Sequence, residues 1–320
     1  MRFTRSSHLT ALIADSERLA SRLARLELDR GADRVDDLLA SLRLDGSTIP
    51  AAGWQGAIRT RSDLDAADET IWEAEQAGLA AASQDLVAVG KALREDPTPT
   101  LARLHTQITE GLVAADRRGQ WRLDERTVTD ASVGRIIYWP TRPAEIGLAM
   151  AGLAAWVVGP GSREHPLVRS GWTLLHLLHI QPFDAANGRV ARLAARALLA
   201  DGRLDPHHVA PLNQIQEADA IGLFEEVAKT VRRRDATVWL ERWGEVVTTA
   251  LRRALATHAE PEPPDEAAVA AVEALPDRFT ITDWRERAGT GSDEGLRQLL
   301  DAGRVAPVPG TRGLRFVRTN

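Results

Sequence analysis

The chain has no cysteine, which excludes disulfides, thiolate metal sites and a thiol nucleophile. That absence fits a reducing, cytoplasmic setting. Lysine is nearly missing: Lys91 and Lys229 are the only two, so arginine carries the positive charge. Tyr138 is the one tyrosine. No run of 18 uncharged apolar residues appears, and the N-terminal "MRFTRSSHLTALIADSERLASRL" lacks the apolar core of a signal peptide. No membrane contact is therefore expected. A net charge of −5 argues against wholesale nucleic-acid binding.

What remains is 320 residues, 44% of them apolar, enough for two domains and a small third. Ala, Leu, Arg and Glu dominate, and apolar residues recur at three- and four-residue spacing, which predicts helix over most of the chain. Helices are expected over 12–44, 65–94, 100–116, 143–158, 165–180, from Asn187 to about "DGRLDP", and over 216–234 and 236–257. The segment "DRRGQWRLDERTVTDASVGRIIYWPTRPAEI" breaks this pattern. Within it, "VGRIIYWP" has the β-branched and aromatic content of a strand, so a hairpin or flap is expected. The proline-rich acidic "AEPEPPDE" marks a boundary. Beyond it, helix, strand, helix, helix capped by Ser292, and two strands around a Pro-Gly-Thr-Arg-Gly turn suggest a winged helix. Residues 265–320 hold 9 acidic and 8 basic side chains, so no basic footprint for nucleic acid stands out.

The most informative stretch is "QPFDAANGRVAR", Gln181 to Arg192. Ala186, Asn187 and Gly188 are small or turn-forming. They let backbone N–H groups converge at a helix start, where the helix dipole favours an anion. Arg189 and Arg192, three apart on the first turns, can grip a di- or triphosphate. Phe183 is expected to anchor the loop in the core. His176 and His179 on the preceding helix, and the pair His207-His208, read as core or loop histidines.

This stretch resembles the signature of the Fic domain family, His-Pro-Phe-x-(Asp/Glu)-Gly-Asn-Gly-Arg-x-x-Arg. Pro182, Phe183, Asn187, Gly188, Arg189 and Arg192 match in register. The resemblance implies a mainly α fold: an N-terminal helical, inhibitory region (1–97), a Fic-type core with a small β-hairpin flap (98–258), a linker (259–264) and a winged-helix-like domain (265–320). It implies transfer of AMP or a related group from ATP, or another nucleotide-diphosphate donor, to a hydroxyl of a protein or small substrate. Gln181, Asn187 and Arg189 occupy the implied catalytic positions. Ala186 to Arg189 and Arg192 would hold phosphate, and Leu223 and Phe224 would lie near the base.

Three departures stand out, the first being Ala186 in place of the family's glycine. The family's general-base histidine is Gln181, and a primary amide takes no proton near neutrality. The family's Mg²⁺-binding carboxylate is Ala185, leaving Asp184, one residue early, as the weak candidate for the metal. In the family the flap docks the target by strand addition, here Ile136, Ile137 and Tyr138. "SLRLDG" resembles the inhibitory Ser/Thr-x-x-x-Glu-Gly, which gives Ser41, Asp45 and Gly46 that role; a helix simply ending at Asp-Gly is the other reading. The alternatives for the whole chain are a transferase of altered chemistry and a non-catalytic nucleotide-sensing module. A homodimer stays open.

Overall fold

The computed structural model describes residues 1–28, 32–45, 66–130, 133–205, 207–259, 264–289, 293–308 and 315–319. Gly46 and Ser292, singled out above, lie outside them. The chain divides into two compact units, Met1–Leu255 and Ala256–Asn320.

The first unit is helical. Helix α1 (Ser7–Leu23) is opened by Ser6, whose hydroxyl accepts from Leu9 N at 3.0 Å, and it buries Leu9, Leu12, Leu19 and Leu23 on one face. After α2 (Ala32–Leu44) come α3 (Ala66–Ala82), α4 (Leu86–Glu95) and α5 (Pro97–Ile108). Pro97 sits at the first helical position of α5, where its missing N–H costs nothing. The helix expected over 100–116 stops at Ile108; turns follow, with Gly111 at φ 79°. The flap exists as an antiparallel pair, β1 (Val128–Asp130) and β2 (Arg135–Tyr138), with an irregularity between Val128 and Thr129.

Helix α6 (Ile146–Val158) leads into α7 (Pro166–Ile180) and α8 (Asn187–Asp201). Against expectation, the stretch Pro143–Arg163 is long and apolar enough by composition to cross a membrane, with 28% of its apolar window buried. Its helix lies on the core through Ile146, Met150, Leu153 and Val157, packed on α5 and α7. Short α9 (Leu212–Glu217), α10 (Ala220–Arg233) and long α11 (Thr237–His258) complete the unit. Two tryptophans of α11 tie it to α7: Trp239 Nε1 donates to Gly171 O at 2.7 Å and Trp243 Nε1 to Ser170 Oγ at 2.8 Å.

Helix α8 is the centre. It packs on α2, α4, α5 and α7, and every residue from Arg189 to Ala200 is buried. Three of those residues are arginines, 189, 192 and 196. A buried guanidinium must be paired, so their partners define what this fold is built around.

The second unit runs α12 (Glu266–Glu273), β3 (Arg278–Thr280), α13 (Ile281–Ala288), α14 (Asp293–Asp301), β4 (Val305–Pro307) and β5 (Arg315–Arg318). Its sheet has the order β3-β5-β4, antiparallel throughout. Thr280 and Asp283 form a capping box at α13. A separate core gathers Val272, Phe279, Trp284, Leu299, Val305 and Phe316, with the two phenylalanine rings 5.6 Å apart.

Candidate functional site

The loop between α7 and α8 is held from behind. Gln181 caps α7 in the left-handed region, φ 45° and ψ 66°. Its carbonyl accepts from Arg122 Nε at 2.7 Å, and Pro182 O accepts from Arg122 N at 2.8 Å. Phe183 N donates to Asn187 Oδ1 and Phe183 O accepts from Asn187 Nδ2, both at 2.8 Å. Arg126 donates to Asp184 O. The Phe183 ring is fully buried, stacked on His105 at 4.1 Å and tilted against Trp121 at 5.2 Å. Asn187 is therefore a clamp on its own loop, and Phe183 is the anchor that the sequence suggested.

His105 is part of this support. Its Nδ1 accepts from Gly119 N at 2.8 Å, which makes the ring neutral with its proton on Nε2. Burial pushes its pKa down to about 4, against a smaller upward pull from Asp184 and the Ala185 carbonyl.

Helix α8 begins without a side-chain cap: Ala186, at φ 54°, precedes it. The capping role falls to Asp45, at the end of α2. Asp45 Oδ2 accepts from Arg189 N at 3.3 Å and from Arg189 Nε at 3.1 Å. Asp45 Oδ1 accepts from Arg192 Nη2 at 2.7 Å. Glu75, from α3, adds a second carboxylate 3.1 Å from Arg189. Gly188 is what allows the approach; a Cβ there would stand 2.1 Å from Asp45 Oδ1. Ser41 takes the rest of Arg192: Oγ accepts from Nε at 2.9 Å and the carbonyl from Nη2 at 2.6 Å. One turn further, Arg196 bonds Asp37 and lies 3.2 Å from Asp205. Residues 37, 41 and 45 thus face 196, 192 and 189 in reverse order, as two antiparallel helices dictate.

A cavity of about 720 Å³ opens beside this contact. Of the residues singled out from sequence, its walls include Asp45, Ile137, Gln181, Asp184, Ala186, Asn187, Gly188, Arg189 and Phe224. Others lie elsewhere. Leu223, expected at the base, is buried in the core, because it points about 100° round α10 from Phe224. Arg192 is covered by Ser41 and Asp45, with its Nη1 buried and without a hydrogen-bond partner. Ile136 is exposed; Tyr138 is buried and donates to Leu178 O at 2.8 Å. Burial drives the pKa of the Tyr138 phenol up, against a smaller downward pull from the nearby Gln181 amide.

Asp184 does not stand ready for a cation. Its carboxylate pairs with Arg117 at 2.9 Å, and Ala185 beside it has no donor. Among the described residues no group of three or more acidic or histidine side chains is arranged to hold a metal. The donor set does not fit a protein-held Mg²⁺.

Residues 97–199 match the model of the Fic/DOC family. The chain carries a Fic domain. Among solved structures, a Fic family protein from Desulfovibrio desulfuricans G20 superposes with a TM-score of 0.62 at 18% identity, covering 99% of this chain and 97% of that one. Fic-1 (residues 134–508) from C. elegans gives 0.54 at 15% identity, covering 78% of this chain and 72% of its own. A Fic domain-containing signaling protein from Bacteroides thetaiotaomicron VPI-5482 gives 0.52 at 15% identity, covering 78% and 96%. These likenesses are of fold. No curated protein matches the sequence. Within the Fic domain, sequence reasoning missed His105, Arg122 and Arg126, and outside it Glu75. Arg122 and Arg126 act from an irregular segment that no periodicity marks, and His105 and Glu75 lie on helices whose partners here are far away in the sequence.

Proposed function

We propose that this chain binds a nucleotide or another diphosphate-bearing ligand at the start of α8, and that α2 blocks the site. The observation that carries this is Asp45. One carboxylate bonds the Arg189 amide, the Arg189 guanidinium and the Arg192 guanidinium at the open end of a helix. Those are the donors a phosphate would use. The carboxylate stands in for an anion, beside a cavity of nucleoside size.

The reaction this site supports best is transfer of AMP, or a related phosphoryl-linked group, to a hydroxyl, as in the protein AMP-transferases that Fic domains resemble. Ile137 of the flap lies in the same cavity wall as the phosphate-binding loop, which suits a target strand laid beside a bound donor. Without a proton acceptor at 181 the chemistry is attenuated; loss of a general base costs on the order of 10²–10⁴-fold. A second reading, nucleotide sensing without turnover, is favoured by Gln181 itself, an amide with no proton to take up where the family places its general base. The second unit is read as a winged helix that contacts protein, given the acidic start of α14 at Asp293 and Glu294.

The test is labelled ATP binding to the Asp45→Ala chain. Affinity should rise by at least about tenfold, the scale of one charge-assisted contact, and Arg189→Ala should remove it. No binding by Asp45→Ala to ATP or other nucleotide donors would sink the proposal. Adding Gln181→His to Asp45→Ala separates the two readings: transfer appears if the site is an impaired enzyme and stays absent if it is a sensor.

A further inference from the structure

The end of α7 and the exit of the flap are joined by an unbroken row of hydrogen bonds. A helix leaves its last four carbonyls without partners inside the helix. In α7 these are Leu177, Leu178, His179 and Ile180. Leu177 O accepts from Gln181 N at 2.9 Å within the cap. The next two are met by the flap and its exit: Tyr138 OH donates to Leu178 O at 2.8 Å, and Thr141 N to His179 O at 3.2 Å. Ile180 O is met by Arg122 Nη2 at 3.4 Å.

The same Arg122 nitrogen donates to Thr141 O, and Arg122 Nε donates to Gln181 O at 2.7 Å. Its backbone N–H adds the bond to Pro182 O at 2.8 Å. Arg122 is 1% exposed, and every hydrogen-bond acceptor described for it is a main-chain carbonyl. A cation at a helix C-terminus is also stabilised by the dipole. One guanidinium therefore touches the cap of α7, the first residue of the motif loop and the strand exit of the flap.

We infer that Arg122 is a positioning residue that sets the register of the flap against the phosphate-binding loop, holding target strand and donor site at a fixed separation. This rests on the reading of the site given above. The flap is accordingly a pinned edge at its Tyr138–Thr141 end. A planar fork is needed, because two carbonyls from different segments must be met at once. Lysine supplies the charge but not the fork.

The test is amide hydrogen exchange on the full chain, with Arg122→Lys and Arg122→Met. Both should speed exchange of Ile136 to Thr141 by about tenfold or more, the scale of one charge-assisted hydrogen bond, while α8 amides keep their protection. Unchanged flap exchange, an equal rise through α8, or wild-type rates in Arg122→Lys would each overturn the inference. Should neither variant fold, Tyr138→Phe removes the neighbouring bond in the same row and must speed Ile136 to Tyr138 locally; no local change would overturn it. Failure of Asp45→Ala alone to bind nucleotide would defeat the proposed function and leave the exchange result standing.

Discussion

Arg196 and Arg189 lie two turns apart on α8, and both meet carboxylates delivered by α2. Their surroundings differ. Around Arg196 everything is closed: the side chain is 5% exposed, and Asp37 and Asp205 are each 2% exposed. Asp37 is further held by the amides of Asn213 and Gln214, and Arg196 by the carbonyls of His208 and Ala210. Around Arg189, Asp45 and Glu75 are each 16% exposed, and Asp45 borders a cavity. On the proposed function, the same charge pairing is an anchor at one end and a removable cover at the other. The difference is what lies next to each pair: packed protein at Arg196, a cavity at Arg189.

The largest effect should come from the anchor. Asp37→Ala leaves a buried guanidinium short of a counter-charge and should cost roughly 3–5 kcal/mol in a denaturant titration. A loss equal to that of Asp45→Ala would erase the distinction between the two ends. Asp45→Ala itself should cost about 1 kcal/mol, since water can solvate the released arginines from the cavity. Glu75→Gln should do less again to stability, within about 0.5 kcal/mol, and raise nucleotide affinity by less than Asp45→Ala does. If Glu75→Gln matches Asp45→Ala in titrations with labelled ATP, α3 rather than α2 is the cover.

Acid should weaken the support of the loop. Burial holds His105 near a pKa of about 4, and His176, which also feels His179 and the N-terminus, at about 4. Both are depressed below the unfolded value near 6.5, so the unfolded chain takes up protons first. Their contribution is intact above pH 6.5, declines as pH falls from there and levels off below about 4. Each adds a slope of at most about 1.4 kcal/mol per pH unit. Melting temperatures between pH 7 and 4 measure it, and His105→Gln should flatten the curve.

Much of this was legible in the sequence. The helices follow from their apolar periodicity, the hairpin from the β-branched "RIIY", and the loop from Asn-Gly-Arg at a helix start. Asp45 was visible through its spacing from Ser41 and the glycine after it. The support of the loop was not. Residues 116–126 have neither period nor strand content, and their bonds reach about 60 residues ahead to main-chain carbonyls, which every residue has. Leu223 and Phe224 show another limit. Adjacent residues on a helix point about 100° apart, so naming both meant one had to face the core.

Gln181 adopts a left-handed backbone, a conformation that costs a non-glycine residue on the order of 1 kcal/mol. The main chain keeps this cost although the side chain has no proton to exchange. Glutamine and histidine codons differ only in their third base. A single nucleotide change would therefore put an imidazole on this left-handed backbone.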